Sequence, residues 1–208
     1  MKLTRRSLIL AAPALLVARQ AWAATDPTPR ASEGPFYPVE IPSDHDSDLV
    51  RIDSLVREAG GEILQLRGEV TDTGAKPVAG AVVEIWQCDA NGVYRHPGDR
   101  RPNLRDTAFQ GFGRTTTNSD GSFSFRTILP VPYPGRTPHI HAKIIADGRP
   151  ALTTQFSRAG YNQNDRDFLY NRMSADERER VSMAIRPQSS NSKTQWETDI
   201  VIVLPRRG

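Results

Sequence analysis

Two histidines, His139 and His141, lie two residues apart in PHIHAKIIA (residues 138–146), a segment typical of a β-strand. Side chains point to alternate faces along a strand, so both imidazoles should face the same side, with their Cα atoms about 6.6 Å apart. Imidazole binds iron, copper, zinc and nickel. The spacing therefore favours one shared metal site, although a strand can also carry two histidines that are only solvated or hydrogen-bonded.

A tyrosine and an arginine precede these histidines. Tyr133 lies between two prolines, and Arg136 follows it by three residues. A phenolate is an anionic oxygen ligand that suits a trivalent ion such as Fe(III), which would lower the pKa of the phenol. Ordinary zinc sites use Cys, His, Asp or Glu instead. Tyr133 therefore favours iron, while copper or zinc in the same position remains an alternative.

A second tyrosine closes the upstream segment LRGEVTDTGAKPVAGAVVEIWQCDANGVY, residues 66–94. This segment, which ends in Gly92-Val93-Tyr94, resembles the signature of the intradiol ring-cleavage dioxygenases. The downstream block Arg-x-x-His-x-His, which begins at Arg136, resembles the same family, and GPFYP at residues 34–38 resembles its N-terminal arm. The resemblance covers most of residues 34–157. The two blocks together are far more specific than either one alone.

The resemblance implies a mononuclear, non-haem Fe(III) site and an enzyme that opens a catechol-type ring. The ring would open with O2 between its two hydroxyl-bearing carbons, giving a cis,cis-muconate-type diacid. The implied metal ligands are Tyr94, Tyr133, His139 and His141. Three residues carry implied catalytic roles: Tyr133 takes a substrate proton, Arg136 supplies positive charge near the ring, and Gln155 hydrogen-bonds an intermediate or orients Arg136.

Two departures from the family pattern bear on the substrate. The stretch from Tyr133 to Arg136 is short, and the long helical N-terminal portion of catechol 1,2-dioxygenases is missing. The chain is closer in size to a protocatechuate 3,4-dioxygenase subunit, of the beta type that keeps the iron ligands. These features leave open which catechol is cleaved, and whether the chain forms a homo-oligomer or pairs with a different subunit.

The chief alternative is a non-catalytic β-sandwich module that binds a ligand or carbohydrate, since a fold does not dictate a function. That alternative explains the pattern of residues 62–89. It does not explain the joint occurrence of two tyrosines and two histidines in the family blocks.

Short strands must position these residues. The pattern predicts strands at 64–70, 81–89, 138–146, 151–157 and 198–205, and a hairpin over 112–128 around the turn at 118–121. Ser174 and Glu177 form a capping box that predicts one helix. We therefore expect a mainly β protein: an antiparallel β-sandwich over 62–208, an extended N-terminal arm over 24–61, and one or two short peripheral helices.

Residues 1–23 are typical of an export signal. A positive start is followed by an apolar run over 7–18 and a small-x-small cleavage pattern that ends at Ala23. Arg5 and Arg6 resemble the pair of a twin-arginine signal, which predicts a periplasmic location.

Removal of this segment changes the charge balance. The full chain has a net charge of +3, but residues 1–23 hold four of its 27 basic residues and none of its 24 acidic ones. The mature chain would therefore carry 23 basic and 24 acidic residues. This near-neutral balance gives no reason to expect a nucleic-acid partner or a membrane partner.

Overall fold

The structure, a computed structural model, describes residues 26–188 and 195–205. The expected export signal lies outside these residues and stays a prediction. In the part of the chain that the structure describes, no helix is both long enough and apolar enough to cross a membrane.

The described residues form two packed sheets. One sheet has the strand order β4-β1-β9-β8 and the other has the order β3-β2-β5-β6-β7. The strands are β1 Ile63–Asp72, β2 Val82–Trp86, β3 Phe112–Thr116, β4 Ser122–Ile128, β5 His139–Ala146, β6 Arg149–Arg158, β7 Ser182–Met183, β8 Arg186–Pro187 and β9 Trp196–Leu204.

The core lies between the sheets and follows from the alternation of apolar side chains along the strands. Leu64 and Leu66 of β1 belong to one buried hydrophobic cluster with Val83 and Ile85 of β2, and each of the four is at most 1% exposed. The predicted N-terminal arm also contributes to this core, because its residues Leu49 and Val50 are completely buried. The arm is therefore packed against the sandwich and does not only cover its surface.

Most neighbouring strands pair antiparallel, and the predicted β-sandwich is confirmed. Each sheet also contains one parallel pair, β1 with β9 and β6 with β7.

The predicted hairpin over 112–128 was wrong. β3 pairs with β2 in one sheet and β4 pairs with β1 in the other, so the turn carries the chain across the sandwich. Gly121, in the turn at 118–121, adopts a positive φ of 77°. Just before the turn, the Thr117 hydroxyl accepts a hydrogen bond from the Ala81 N–H and donates one to the Val78 carbonyl. These bonds hold the end of β3 beside β2 and leave β4 to pair with β1.

Two short helices lie at the periphery, α1 Phe168–Arg172 and α2 Ala175–Arg180. The predicted capping box is present: the Glu177 N–H donates to Ser174 Oγ (3.2 Å) and the Ser174 N–H donates to Glu177 Oε2 (2.8 Å). Helix α2 ends at Arg180 and does not continue to residue 185, because Ser182 and Met183 form β7 beside β6.

Candidate metal centre

Strand β5 places the two predicted histidine ligands side by side. His139 and His141 are each 2% exposed, and their Nε2 atoms lie 3.2 Å apart. His139 Nδ1 lies 2.6 Å from the Thr137 carbonyl oxygen, which can only accept, so Nδ1 must carry the proton. This hydrogen bond leaves the lone pair of His139 on Nε2, the atom that faces His141, as in metal sites where a backbone carbonyl orients the ligand.

Both imidazoles are held in their neutral form. Burial lowers the pKa of His139 to about 4 and lowers that of His141 well below its ordinary value. The His141 ring is stacked on Trp86 of the neighbouring strand β2, with ring centres 4.7 Å apart. Neutral imidazole is the form that binds a metal, so neither residue must lose a proton at neutral pH before it can act as a ligand.

The two predicted tyrosine ligands come from separate loops. Tyr94 follows the turn at Gly92, which has a φ of +71°. A Cβ atom on Gly92 would lie 3.1 Å from the Pro132 carbonyl oxygen, so glycine allows the two loops to approach closely. The rings of Tyr94 and Tyr133 consequently lie 5.4 Å apart, centre to centre, and meet edge to face.

Tyr94 carries the most informative atom of the site. Its side chain is 3% exposed, and its hydroxyl is buried without a hydrogen-bond partner among the described residues. Burial raises the pKa of Tyr94 well above its ordinary value, so the phenol is protonated unless a cation is nearby. A buried polar atom with no partner is rare in a folded protein and calls for an explanation, such as an ion.

The structure thus brings all four predicted ligands together. Ring centres are 4.8 Å apart for His139 and His141, 5.5 Å for Tyr133 and His139, and 6.3 Å for Tyr94 and His141. The separation of the two Nε2 atoms fits bonds to one ion of about 2.1 Å, the length known for imidazole on zinc. Two phenols and two neutral imidazoles form a donor set that suits a trivalent cation, so the residues fit Fe(III).

Metal sites of the commoner type are not found in the described ranges. No group of three or more His, Cys, Asp and Glu residues there could hold an ion. A metal at this centre would therefore have to use the phenol oxygens, as the sequence predicts.

Arg136 lies beside the four rings, as the sequence predicts, and its side chain makes three hydrogen bonds. Its Nη1 donates to the Tyr133 hydroxyl (3.3 Å), and its Nη2 donates to Gln155 Oε1 (2.7 Å). Gln155 faces His141 across the β5–β6 pair. The sequence left two roles open for Gln155, which were to hydrogen-bond an intermediate or to orient Arg136. The hydrogen bond between the two side chains supports the second role.

Asp167 is a residue of the site that sequence reasoning missed. Its side chain is 1% exposed and accepts the third hydrogen bond of Arg136, from Nε at 2.9 Å. It also accepts the Thr137 N–H and two N–H groups at the start of α1. Burial works against ionisation, but the Thr137 N–H and the charge of Arg136 hold the pKa of Asp167 below its ordinary value. The sequence signals only a helix cap here, not the pairing with Arg136.

The N-terminal arm covers the aromatic side of the centre. Phe36 stacks on Tyr94, with ring centres 4.5 Å apart, and meets Tyr133 edge to face. His96 also contacts Phe36, with its ring edge to face at 5.7 Å, and accepts the Gly98 N–H on Nδ1. His96 thus lies beside the arm and is not one of the four predicted ligands.

Polar contacts anchor this part of the arm. The Tyr37 hydroxyl donates to Glu84 Oε2 (2.8 Å) on β2, and Lys143 Nζ lies 4.3 Å from the centre of the Tyr37 ring. The same ammonium group forms an ion pair with Glu33 (2.6 Å). The arm is therefore fixed on both sides of Phe36.

Two cavities lie away from this centre. One of about 530 Å³ is lined by Arg95, Arg105 and Phe109, and another of about 610 Å³ by Asp147 and Arg149, among others. None of the predicted ligands lines either cavity.

Comparisons with known proteins agree with the geometry. The family model described as "Dioxygenase" matches residues 32–204. The chain belongs to the intradiol ring-cleavage dioxygenase family.

Two curated relatives illustrate the similarity. Catechol 1,2-dioxygenase 1 of Acinetobacter lwoffii is 34% identical over 161 residues, which cover 69% of this chain and 50% of that protein. The protocatechuate 3,4-dioxygenase beta chain of Burkholderia cepacia is 33% identical over 167 residues, which cover 71% of each chain. The match thus spans only about half the length of the catechol 1,2-dioxygenase.

A solved structure matches over its full length. It is the dioxygenase domain of a dioxygenase carbohydrate-binding protein fusion from Streptomyces sp. SirexAA-E. It is 34% identical, with a TM-score of 0.66, and the match covers 88% of this chain and 100% of that one.

Proposed function

We propose that this chain is a non-haem Fe(III)-dependent dioxygenase that opens a catechol-type ring with O2 between its two hydroxyl-bearing carbons. The product would be a cis,cis-muconate-type diacid. The observation that carries this proposal is the convergence of two phenols and two neutral imidazoles, one of the phenols being Tyr94, whose buried hydroxyl has no hydrogen-bond partner among the described residues. Membership of the family supports it.

Tyr94, Tyr133, His139 and His141 would hold the iron. When bound, Fe(III) supplies Lewis acidity that draws electron density from the catechol oxygens. The ligand residues would offset two of the three positive charges of Fe(III), because each tyrosine gives up its proton and the imidazoles stay neutral. Burial raises the pKa of both phenols. Both would therefore lose their protons at neutral pH only when a strongly charged cation is bound.

Tyr133 is the better placed of the two tyrosines to accept a proton from the substrate. Its side chain is partly exposed, whereas Tyr94 is buried. Its oxygen also accepts a hydrogen bond from Arg136 Nη1, and a phenol that carries a proton can still accept this bond. Within the described part of the chain, the Tyr94 hydroxyl has no hydrogen-bond partner. We therefore assign the proton-accepting role to Tyr133 and a purely ligating role to Tyr94.

Arg136 would stabilise negative charge as it develops on the ring. Preorganised charges of this kind contribute strongly to catalysis because they need not reorient during the reaction. Asp167 and Gln155 hold the guanidinium by Nε and Nη2, so its orientation is fixed in advance.

The test is a substrate panel on protein whose iron content has been measured. Catechol, hydroxyquinol, 4-methylcatechol and protocatechuate would be assayed for O2 uptake, and the diacid products identified by mass spectrometry. Metal-free and zinc-loaded protein are the controls. We expect ring opening only with iron, and a visible tyrosinate-to-iron absorption band. Full iron occupancy without turnover of any catechol would instead favour the binding-module alternative.

We further propose that residues 1–23 direct export to the periplasm. The paired arginines and the apolar run in the sequence support this proposal. Cell fractionation and N-terminal sequencing of the mature protein would test it, and an intact N-terminus in cytoplasmic protein would contradict it.

A further inference from the structure

The charge of Arg136 is already balanced inside the protein. Its guanidinium donates to Asp167, Gln155 and Tyr133, and the side chains of Arg136 and Asp167 are 14% and 1% exposed. A carboxylate this deeply buried, 2.9 Å from the guanidinium nitrogen, offsets the charge that an incoming anion would meet.

Two other cations near the centre, Lys143 and Arg101, are also paired. Lys143, beside the arm, forms its ion pair with Glu33. Arg101, whose Nη2 donates to the Gly92 carbonyl, is bonded to both carboxylate oxygens of Asp99. None of these side chains offers an unpaired positive charge to a ligand.

The remaining neighbours are largely apolar. Phe36, Tyr37 and Val131 pack around the Tyr94 and Tyr133 rings. A ring substituent that carries a carboxylate would lose water here without gaining an unpaired cation, and burying a charge without a partner is costly. A neutral substituent of the same size would not meet this cost.

We propose that Asp167 is a specificity-determining residue that makes this centre prefer neutral catechols over ring-carboxylated ones such as protocatechuate. The inference rests on the proposed function. It names a substrate class that the family alone leaves open, because curated relatives include a catechol 1,2-dioxygenase and a protocatechuate 3,4-dioxygenase beta chain.

The first test compares two substrates of similar size on the wild-type, iron-loaded protein. The kcat/KM for 4-methylcatechol should exceed that for protocatechuate by about tenfold or more. A difference of this size is expected when the protocatechuate carboxylate finds no unpaired cation to interact with. Anaerobic titration, followed by the change in the visible absorption band, should show the same order of binding without turnover. Equal or higher kcat/KM for protocatechuate would overturn the inference.

The second test removes the compensating charge. Asp167→Asn keeps the side-chain shape and the capacity to cap α1 but leaves the charge of Arg136 unbalanced. The ratio of kcat/KM for 4-methylcatechol to that for protocatechuate should fall by about tenfold. The matched control is Asp165→Asn, which removes the same charge from an exposed position two residues away and should leave the ratio unchanged.

The ratio separates specificity from mere structural damage. A loss of stability or of iron would lower both rates by the same factor, so an unchanged ratio in folded Asp167→Asn protein would overturn the role of Asp167. If that variant fails to fold, the wild-type comparison still decides whether neutral catechols are preferred. No turnover of any catechol at full iron occupancy would overturn the proposed function itself and this inference with it.

Discussion

Replacement of Tyr94 by phenylalanine should have opposite effects on the metal-free and the iron-loaded protein. The change removes one oxygen atom and keeps the ring, so the stacking on Phe36 and the edge contact with Tyr133 persist. The lost hydroxyl is a buried group without a partner in the described structure. It is also, by our proposal, an anionic ligand of the iron.

The structure gives the magnitude for each state. A buried polar group without a partner costs about 1–3 kcal/mol, so metal-free Tyr94→Phe should be more stable than wild type by that amount. For a domain of this size, this corresponds to a rise of about 2–12 °C in melting temperature. Iron affinity should fall by more than about 100-fold, because loss of a residue that only supports a ligand already costs 10- to 100-fold. At saturating iron, a 100-fold weaker affinity removes about 2.7 kcal/mol of stabilisation.

The assay is thermal unfolding of both proteins with and without iron, combined with metal analysis after dialysis. Tyr161→Phe is a suitable control, because this partly exposed ring lies beside Arg158 and away from the centre. The control should change stability by less than about 0.5 kcal/mol in either state. A metal-free Tyr94→Phe protein that is less stable than wild type, or a variant that retains iron at wild-type affinity, would refute the reasoning.

Three further predictions concern the same centre. Arg136→Ala should keep the iron but lower kcat by about 100-fold or more, as measured by O2 uptake; unchanged kcat would remove Arg136 from the mechanism. Iron binding at neutral pH should release about two protons, because the pKa values of Tyr94 and Tyr133 are raised and both must ionise; a pH-stat titration in which no protons are released would contradict their ligation. Gly92→Ala should weaken iron binding, because the new Cβ would press on the Pro132 carbonyl at a positive φ; iron affinity equal to wild type would show that the loop tolerates it.

The predicted ligands could be found in the sequence because their spacing has direct geometric meaning. A period of two on β5 places His139 and His141 on one face, and the structure shows their Nε2 atoms together. The approach of Tyr94 and Tyr133 had no such local signal, since their loops are far apart in the chain. Only the family resemblance predicted it.

Other features depend on contacts that a local pattern does not encode. The turn at 118–121 has the residues of a hairpin, but its chemistry does not tell which sheet receives the next strand. Helix α2 stops at Arg180, and the chain then pairs with β6 through Ser182 and Met183, where Met183 is completely buried. Asp167 lies 31 residues beyond Arg136, and only the folded chain shows that the two form a buried ion pair.

The parallel pairing of β1 with β9 has a consequence for how the molecule is made. β1 lies inside its sheet only when residues 196–204 are present, although its own residues leave the ribosome more than a hundred residues earlier. Until then one edge of β1 has no partner and can pair with another chain. Such distant pairing is slow to form, so a nascent chain should rely on chaperones, and a shortened chain that lacks β9 should aggregate.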